Sequence, residues 1–115
     1  MAEDLLTTNL HGNGSRRTLF VAGELDGTTA PLLEGAVDGA LDGQGAEFWL
    51  DLSGLTFVDW MGARGIERAY DRAATLGSRL VLLFPTPAVR RVLALMGLGQ
   101  VMDIRDGSPV RRASA

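Results

Sequence analysis

An α/β domain built on a mixed, mostly parallel sheet of four to five strands is the fold this sequence predicts, and three patterns predict it. Two nearly unbroken apolar runs, Phe48-Trp49-Leu50-Asp51-Leu52 and Arg79-Leu80-Val81-Leu82-Leu83-Phe84, have the length and make-up of strands covered on both faces. Three segments with apolar residues at helical spacing alternate with those runs, which implies parallel strands joined by right-handed crossovers. Ahead of them, two short apolar stretches flank a Gly/Asn-rich turn, the signature of an opening hairpin.

The elements follow in order. Residues 5–10 and 18–22 form the hairpin strands, and His11-Gly12-Asn13-Gly14-Ser15 forms the turn between them. Gly23-Glu24-Leu25-Asp26-Gly27 breaks the second strand and leads to Thr28 or Thr29, either of which can cap a helix that tolerates Pro31 in its first turn. Leu33, Val37, Ala40 and Leu41 mark the buried face of that helix, which ends at Asp42-Gly43-Gln44-Gly45. After the strand at 48–52, a loop over residues 53–58 reaches Asp59, the N-cap of a second helix running to about Leu76. Its apolar face is Ala63, Ile66, Tyr70 and Ala73, and Arg64 with Glu67 and Arg68 with Asp71 stand at i,i+3 for surface pairing. Gly77 takes the C′ position, Thr86-Pro87 starts a third helix carrying Val89, Val92, Leu93 and Met96, and Gly97 ends it. Residues 101–104 supply a last short strand. The order is β-β-α-β-α-β-α-(β), one domain over residues 1–106 with a polar tail at 107–115.

Composition narrows the chemistry. With 115 residues, 46% of them hydrophobic and 22% charged, the chain can bury a core of its own rather than stay disordered. The absence of cysteine excludes disulfides, thiolate metal sites and cysteine nucleophiles. A net charge of −3, with acidic and basic residues interspersed, does not suggest nucleic-acid binding. There is no signal-peptide pattern and no run near the roughly 18 apolar residues of a membrane span; a cytoplasmic protein is expected. All 11 basic residues are arginine, so a Walker-type phosphate loop, which needs lysine, is excluded. His11 is the only imidazole and has no nucleophile near it in sequence, which argues against serine hydrolysis.

Asp26, Asp51 and Asp59 each fall at or just beyond the C-terminal end of a strand, the edge where open α/β sheets place their sites. A Mg²⁺- or nucleotide-binding enzyme on that edge is one reading. The simpler one gives each carboxylate a local role, in which Asp59 caps a helix, Asp26 organises a turn and Asp51 hydrogen-bonds a loop. Trp60-Met61 is the unusual feature. The first turn of a helix favours small or acidic side chains, because free N–H groups and the dipole attract negative charge there. A tryptophan and a methionine at that place either fold onto the core as a staple or form a partner-facing patch.

These residues resemble the STAS family of bacterial anti-sigma factor antagonists and of sulfate-transporter cytoplasmic tails. The resemblance spans nearly the whole chain. It rests on Gly23-Glu24-Leu25-Asp26 with Thr29-Ala30-Pro31, on residues 50–59 with Gly62, and on the segment from Pro85 to Leu93 with Gly97-Leu98. In that family the segment after Asp59 reads Ser-Ser-Gly, and the second serine is phosphorylated by a partner anti-sigma factor that is also a kinase. Here Trp60 and Met61 occupy the two serine positions, so the expected phosphoacceptor position holds a residue that cannot be phosphorylated. The resemblance implies a non-catalytic docking protein without cofactor or metal, whose partner is an anti-sigma factor of the serine-kinase type or a related regulatory protein. The expected contacts are Asp26, Thr56, Asp59, Trp60, Met61, Gly62 and Arg64, on a monomer or weak homodimer that does not insert into membranes. A STAS regulatory subunit of a transporter or stress-signalling complex is the alternative with the same fold.

Overall fold

The computed structural model describes residues 5–13, 16–41 and 47–106. Strands β1 (Leu6–Asn13), β2 (Arg16–Leu25), β3 (Glu47–Val58), β4 (Arg79–Leu83) and β5 (Asp103–Arg105) lie side by side in chain order. The β1/β2 pair is antiparallel and every other pair is parallel. Helices α1 (Ala30–Ala40), α2 (Trp60–Thr75) and α3 (Pro87–Leu95) fill the crossovers. The expected single domain with a mixed five-stranded sheet is what forms.

Register shows where the core lies. Leu19, Leu50, Leu82 and Ile104 are cross-strand neighbours in one row, and Phe48 pairs with Leu80 on the same side. Against that face pack Leu33 and Val37 of α1, Ile66 and Ala69 of α2, and Val89 and Leu93 of α3, all at most 2% exposed. Each fully buried Leu or Ile contributes about 1.5–3 kcal/mol relative to exposure, so this one layer of contacts dominates the fold. The opposite row reads Thr18, Trp49, Val81, Asp103, and on that side Phe20 is 42% exposed. The apolar runs of β3 and β4 predict cover on both faces; the described helices cover one. Trp49 gains a polar partner instead, its indole N–H donating to Glu47 Oε1 at 2.8 Å.

The expected loop at 53–58 is strand. β3 continues to Val58 because β2 does not break at Gly23 but runs on to Leu25, giving residues 54–58 a ladder partner: Ala22 faces Gly54 and Leu25 faces Val58. Register shifts at Phe20/Ala22 and Gly23/Glu24 absorb the irregularity. Gly54 is needed there, since a Cβ would lie 2.9 Å from the Ala22 Cβ. Asp51 is therefore mid-strand rather than near a strand end, and His11 lies in β1, its ring edge-on to Phe20, rather than in a turn. β5 starts at Asp103, two residues later than expected; residues 101–102 belong to the turn before it.

The caps follow the sequence in two helices and not in the third. Asp59 Oδ1 accepts from Gly62 N at 2.8 Å, and Thr86 Oγ1 accepts from Val89 N at 3.4 Å. Thr29 stands at the N-cap of α1 without making a side-chain cap; its hydroxyl donates backwards to the Glu24 carbonyl at 2.9 Å. The far end of α1 is closed by a distant residue, Arg17, whose guanidinium donates to the Ala40 carbonyl, a favourable charge at a helix C-terminus. Gly77 and Gly97 follow α2 and α3 with φ of 81° and 74°, the left-handed C′ conformation glycine tolerates. Arg64 pairs with Glu67 as expected, at 2.9 Å, but Arg68 reaches across to Glu34 of α1 at 3.1 Å rather than to Asp71. The hairpin residues 14–15, the segment 42–46 expected to end α1, and the tail 107–115 lie outside the described residues.

Candidate docking site

The end of β2 and the start of α2 are built against each other. Asp59 N donates to the Leu25 carbonyl at 3.2 Å, and Ala63 N returns to the Asp59 carbonyl at 2.9 Å. Gly62 closes the contact, for a Cβ there would sit 2.2 Å from the Leu25 carbonyl oxygen. Only glycine lets the helix start lie this close to the strand.

The turn after β2 folds around one carboxylate. Asp26 Oδ1 accepts from Thr28 N at 2.9 Å, Thr28 Oγ1 at 2.7 Å and Thr29 N at 3.1 Å, and the Asp26 N–H donates to Thr29 Oγ1 at 2.9 Å. The Thr28 hydroxyl foremost, then the Thr29 and Thr28 N–H groups, holds the Asp26 carboxyl below its ordinary value. The turn is thereby fixed beside α2: a Cβ on Gly27 would stand 3.4 Å from Met61 Cβ, an ordinary van der Waals contact.

Trp60 and Met61 are both 52% exposed. The staple onto the core does not form; the two side chains project from the first turn of α2. Phe57, the penultimate residue of β3, adds a third apolar side chain at 46% exposure. A loop over 53–58, as the sequence predicts, gives its side chains no periodic direction and so hides Phe57; as strand the segment does not alternate either, since Thr56 and Phe57 are both exposed between buried Leu55 and Val58, where the register shifts. Thr56 is exposed and donates its hydroxyl to the Gly23 carbonyl at 3.2 Å. Arg64, one turn into α2, is exposed and engaged with Glu67. The structure joins Asp59 directly to Gly62 and both to the Leu25 backbone, sets the Gly27 end of the Asp26 turn beside Met61, and places Trp60 on the same helical turn, with Thr56 bonded to Gly23 of β2 and Arg64 one turn further on.

Asp51 does not join them. Its Oδ1 accepts from Ser53 N at 2.9 Å and Ser53 Oγ at 2.6 Å, a local turn-like bond within β3. Among the described residues no group of three or more His, Asp or Glu side chains could hold a metal ion, so the carboxylate edge expected from sequence is three separate local structures. Nor does position 61 offer phosphoryl chemistry: a thioether has no O–H to give up.

Known proteins share this architecture. The anti-sigma-B factor antagonist of Listeria monocytogenes is 27% identical over 88 residues, covering 76% of this chain and 77% of that protein. An anti-sigma factor antagonist from Mycobacterium paratuberculosis superposes with a TM-score of 0.78 at 24% identity, over 98% of this chain and 95% of the other. The Bacillus cell fate determinant SpoIIAA in its phosphorylated form superposes with a TM-score of 0.63 at 20% identity, over 94% of this chain and 97% of the other. These structural likenesses describe the fold. The STAS domain model matches residues 7–109, so with its sheet order, crossovers and helix-start geometry in place, the chain belongs to the STAS domain family.

Proposed function

We propose that this chain is a non-catalytic anti-sigma factor antagonist that docks onto an anti-sigma factor of the serine-kinase type and is not switched off by phosphorylation at the usual position. The observation that carries the reading is the exposed pair Trp60 and Met61 on the first turn of α2, beside the Asp26 turn and Phe57. Exposed apolar area of this kind disfavours the free state by about 25 cal/mol per Å² that a partner can cover, and a tryptophan rimmed by polar groups is the composition of a binding hot spot. The anti-sigma-B factor antagonist relative supports the kind of partner. Among the described residues no helix is long and apolar enough to cross a membrane.

The missing hydroxyl sets the direction of regulation. In a relative with serine at this place, a phosphate adds about −1.5 to −2 charge to the docking surface and disfavours an interface fitted to the neutral form. Met61 leaves this chain permanently in the neutral form. The test is calorimetric titration of the candidate anti-sigma factor with wild type, Met61→Ser and Met61→Asp. Wild type and Met61→Ser should bind, while Met61→Asp should weaken binding roughly tenfold or more, because it sets an unpaired charge inside the patch. With ATP present, mass spectrometry should find phosphate on the Met61→Ser chain only. Equal binding by all three would place the interface elsewhere; stoichiometric phosphate on Ser53 or Thr56 of the wild type would end the claim of a fixed neutral form.

A further inference from the structure

The two edges of the sheet are built differently. β5 is three residues long and carries Asp103 and Arg105. These charges are locked in a network with neighbouring strands, Arg79 to Asp103 at 3.2 Å and Arg105 to Glu47 at 3.4 Å. A short, charged strand is how proteins stop a sheet edge from pairing with another chain. β1, at the other edge, is eight residues long, Leu-Thr-Thr-Asn-Leu-His-Gly-Asn, with no Asp, Glu, Lys, Arg or Pro. It pairs with β2 in unbroken register from Leu6 to Asn13, without a bulge to twist the edge away. No described strand lies on its outer side.

We infer that β1 is a homodimerisation edge, pairing antiparallel with β1 of a second copy across a two-fold axis. A second copy is the occupant that an uncharged, unbulged strand suits. A two-fold contact sets the same strand against itself, so that a charge close to the axis would be brought near the like charge of its own image, and β1 has no Asp, Glu, Lys or Arg. The axis must stand perpendicular to the sheet for antiparallel neighbours, so residues of like parity oppose and both copies keep their helices on one side. Centring the axis at Asn9 aligns Leu6 with Gly12 and so pairs all of the strand but Asn13. It also sets Leu10, 46% exposed, opposite Thr8 of the second copy, which with Leu6, Thr7 and the half-exposed Leu32 of α1 lines a shallow groove along the edge. On the other face Phe20 and His11, already in edge-on contact, flank the axis. The result is a continuous ten-stranded sheet.

Sedimentation equilibrium of the full chain should show twice the chain mass as concentration rises. Leu10→Lys places a charge on the edge at a position without core burial and should raise the dimer dissociation constant at least ~10-fold. Because the chain has no cysteine, single-cysteine variants give an independent readout: Asn9→Cys should oxidise to a covalent dimer faster than Thr7→Cys or His11→Cys, since only residues on the axis meet their own image within disulfide range. A wild type that stays monomeric up to ~1 mM, far above working affinities, would overturn the inference. So would a dimer that Leu10→Lys leaves intact, or cross-linking equal at all three positions.

Discussion

Met61 is a thioether at an exposed helix start, and under the proposed function this single side chain decides whether phosphate charge can be added there. Asp26 is a charge in the neighbouring turn. The Thr28 hydroxyl and the N–H groups of Thr29 and Thr28 prefer its ionised form, so its folded-state pKa lies below the ordinary 3.8. A depressed carboxyl adds stability above its unfolded pKa and loses it as the pH falls through the folded value. The stability gap between wild type and Asp26→Asn should thus be widest above 3.8 and close below it, as urea midpoints from about pH 2 to 6 would show. Asp59 as a helix cap was legible from its place before an apolar-periodic run. The partners of Thr29 and Arg17, the Glu24 and Ala40 carbonyls, were not, and neither was the exposure of Phe57, because they come from packing rather than from local pattern.

Among elements, the glycines show how the same residue type answers to different constraints. Gly62 faces the Leu25 backbone, with carbonyl oxygen and carbon 2.2 and 2.6 Å from a would-be Cβ, whereas nothing lies within 4 Å of the same atom on Gly35. Both sit in helices, where alanine is favoured over glycine by about 1 kcal/mol. Gly35→Ala should therefore stabilise the fold by about 0.5–1 kcal/mol. Gly62→Ala should destabilise it by a net ~1–3 kcal/mol, because a backbone contact cannot rotate away; thermal unfolding of the two variants should move in opposite directions. The helices were readable from period and capping residues. β3 was only half readable, because Ser53, Gly54 and Thr56 resemble loop chemistry and become strand only when β2 supplies Ala22–Leu25 as their ladder.

For the whole molecule, a single layer of side chains between the helices and one sheet face does most of the stabilising. Leu50, 0% exposed on the second of the parallel strands, is central to it, and Leu50→Ala should lose about 2–5 kcal/mol, a large share of the ~5–15 kcal/mol typical of a domain. The check is a lower urea midpoint at unchanged m-value, with the Arg68→Ala variant as a surface control costing under ~1 kcal/mol. The sequence by itself determined the class of fold, the order of its elements, two of its three caps and the non-phosphorylatable residue at the helix start, because period, capping chemistry and side-chain identity are local properties. Only the tertiary structure decided that the described helices cover one sheet face, that β3 extends to Val58 and that Trp60, Met61 and Phe57 face outward, because burial depends on which segments meet. The same holds for Asp51: its distance from the Asp26 and Asp59 turns follows from strand register, and register belongs to the assembled sheet.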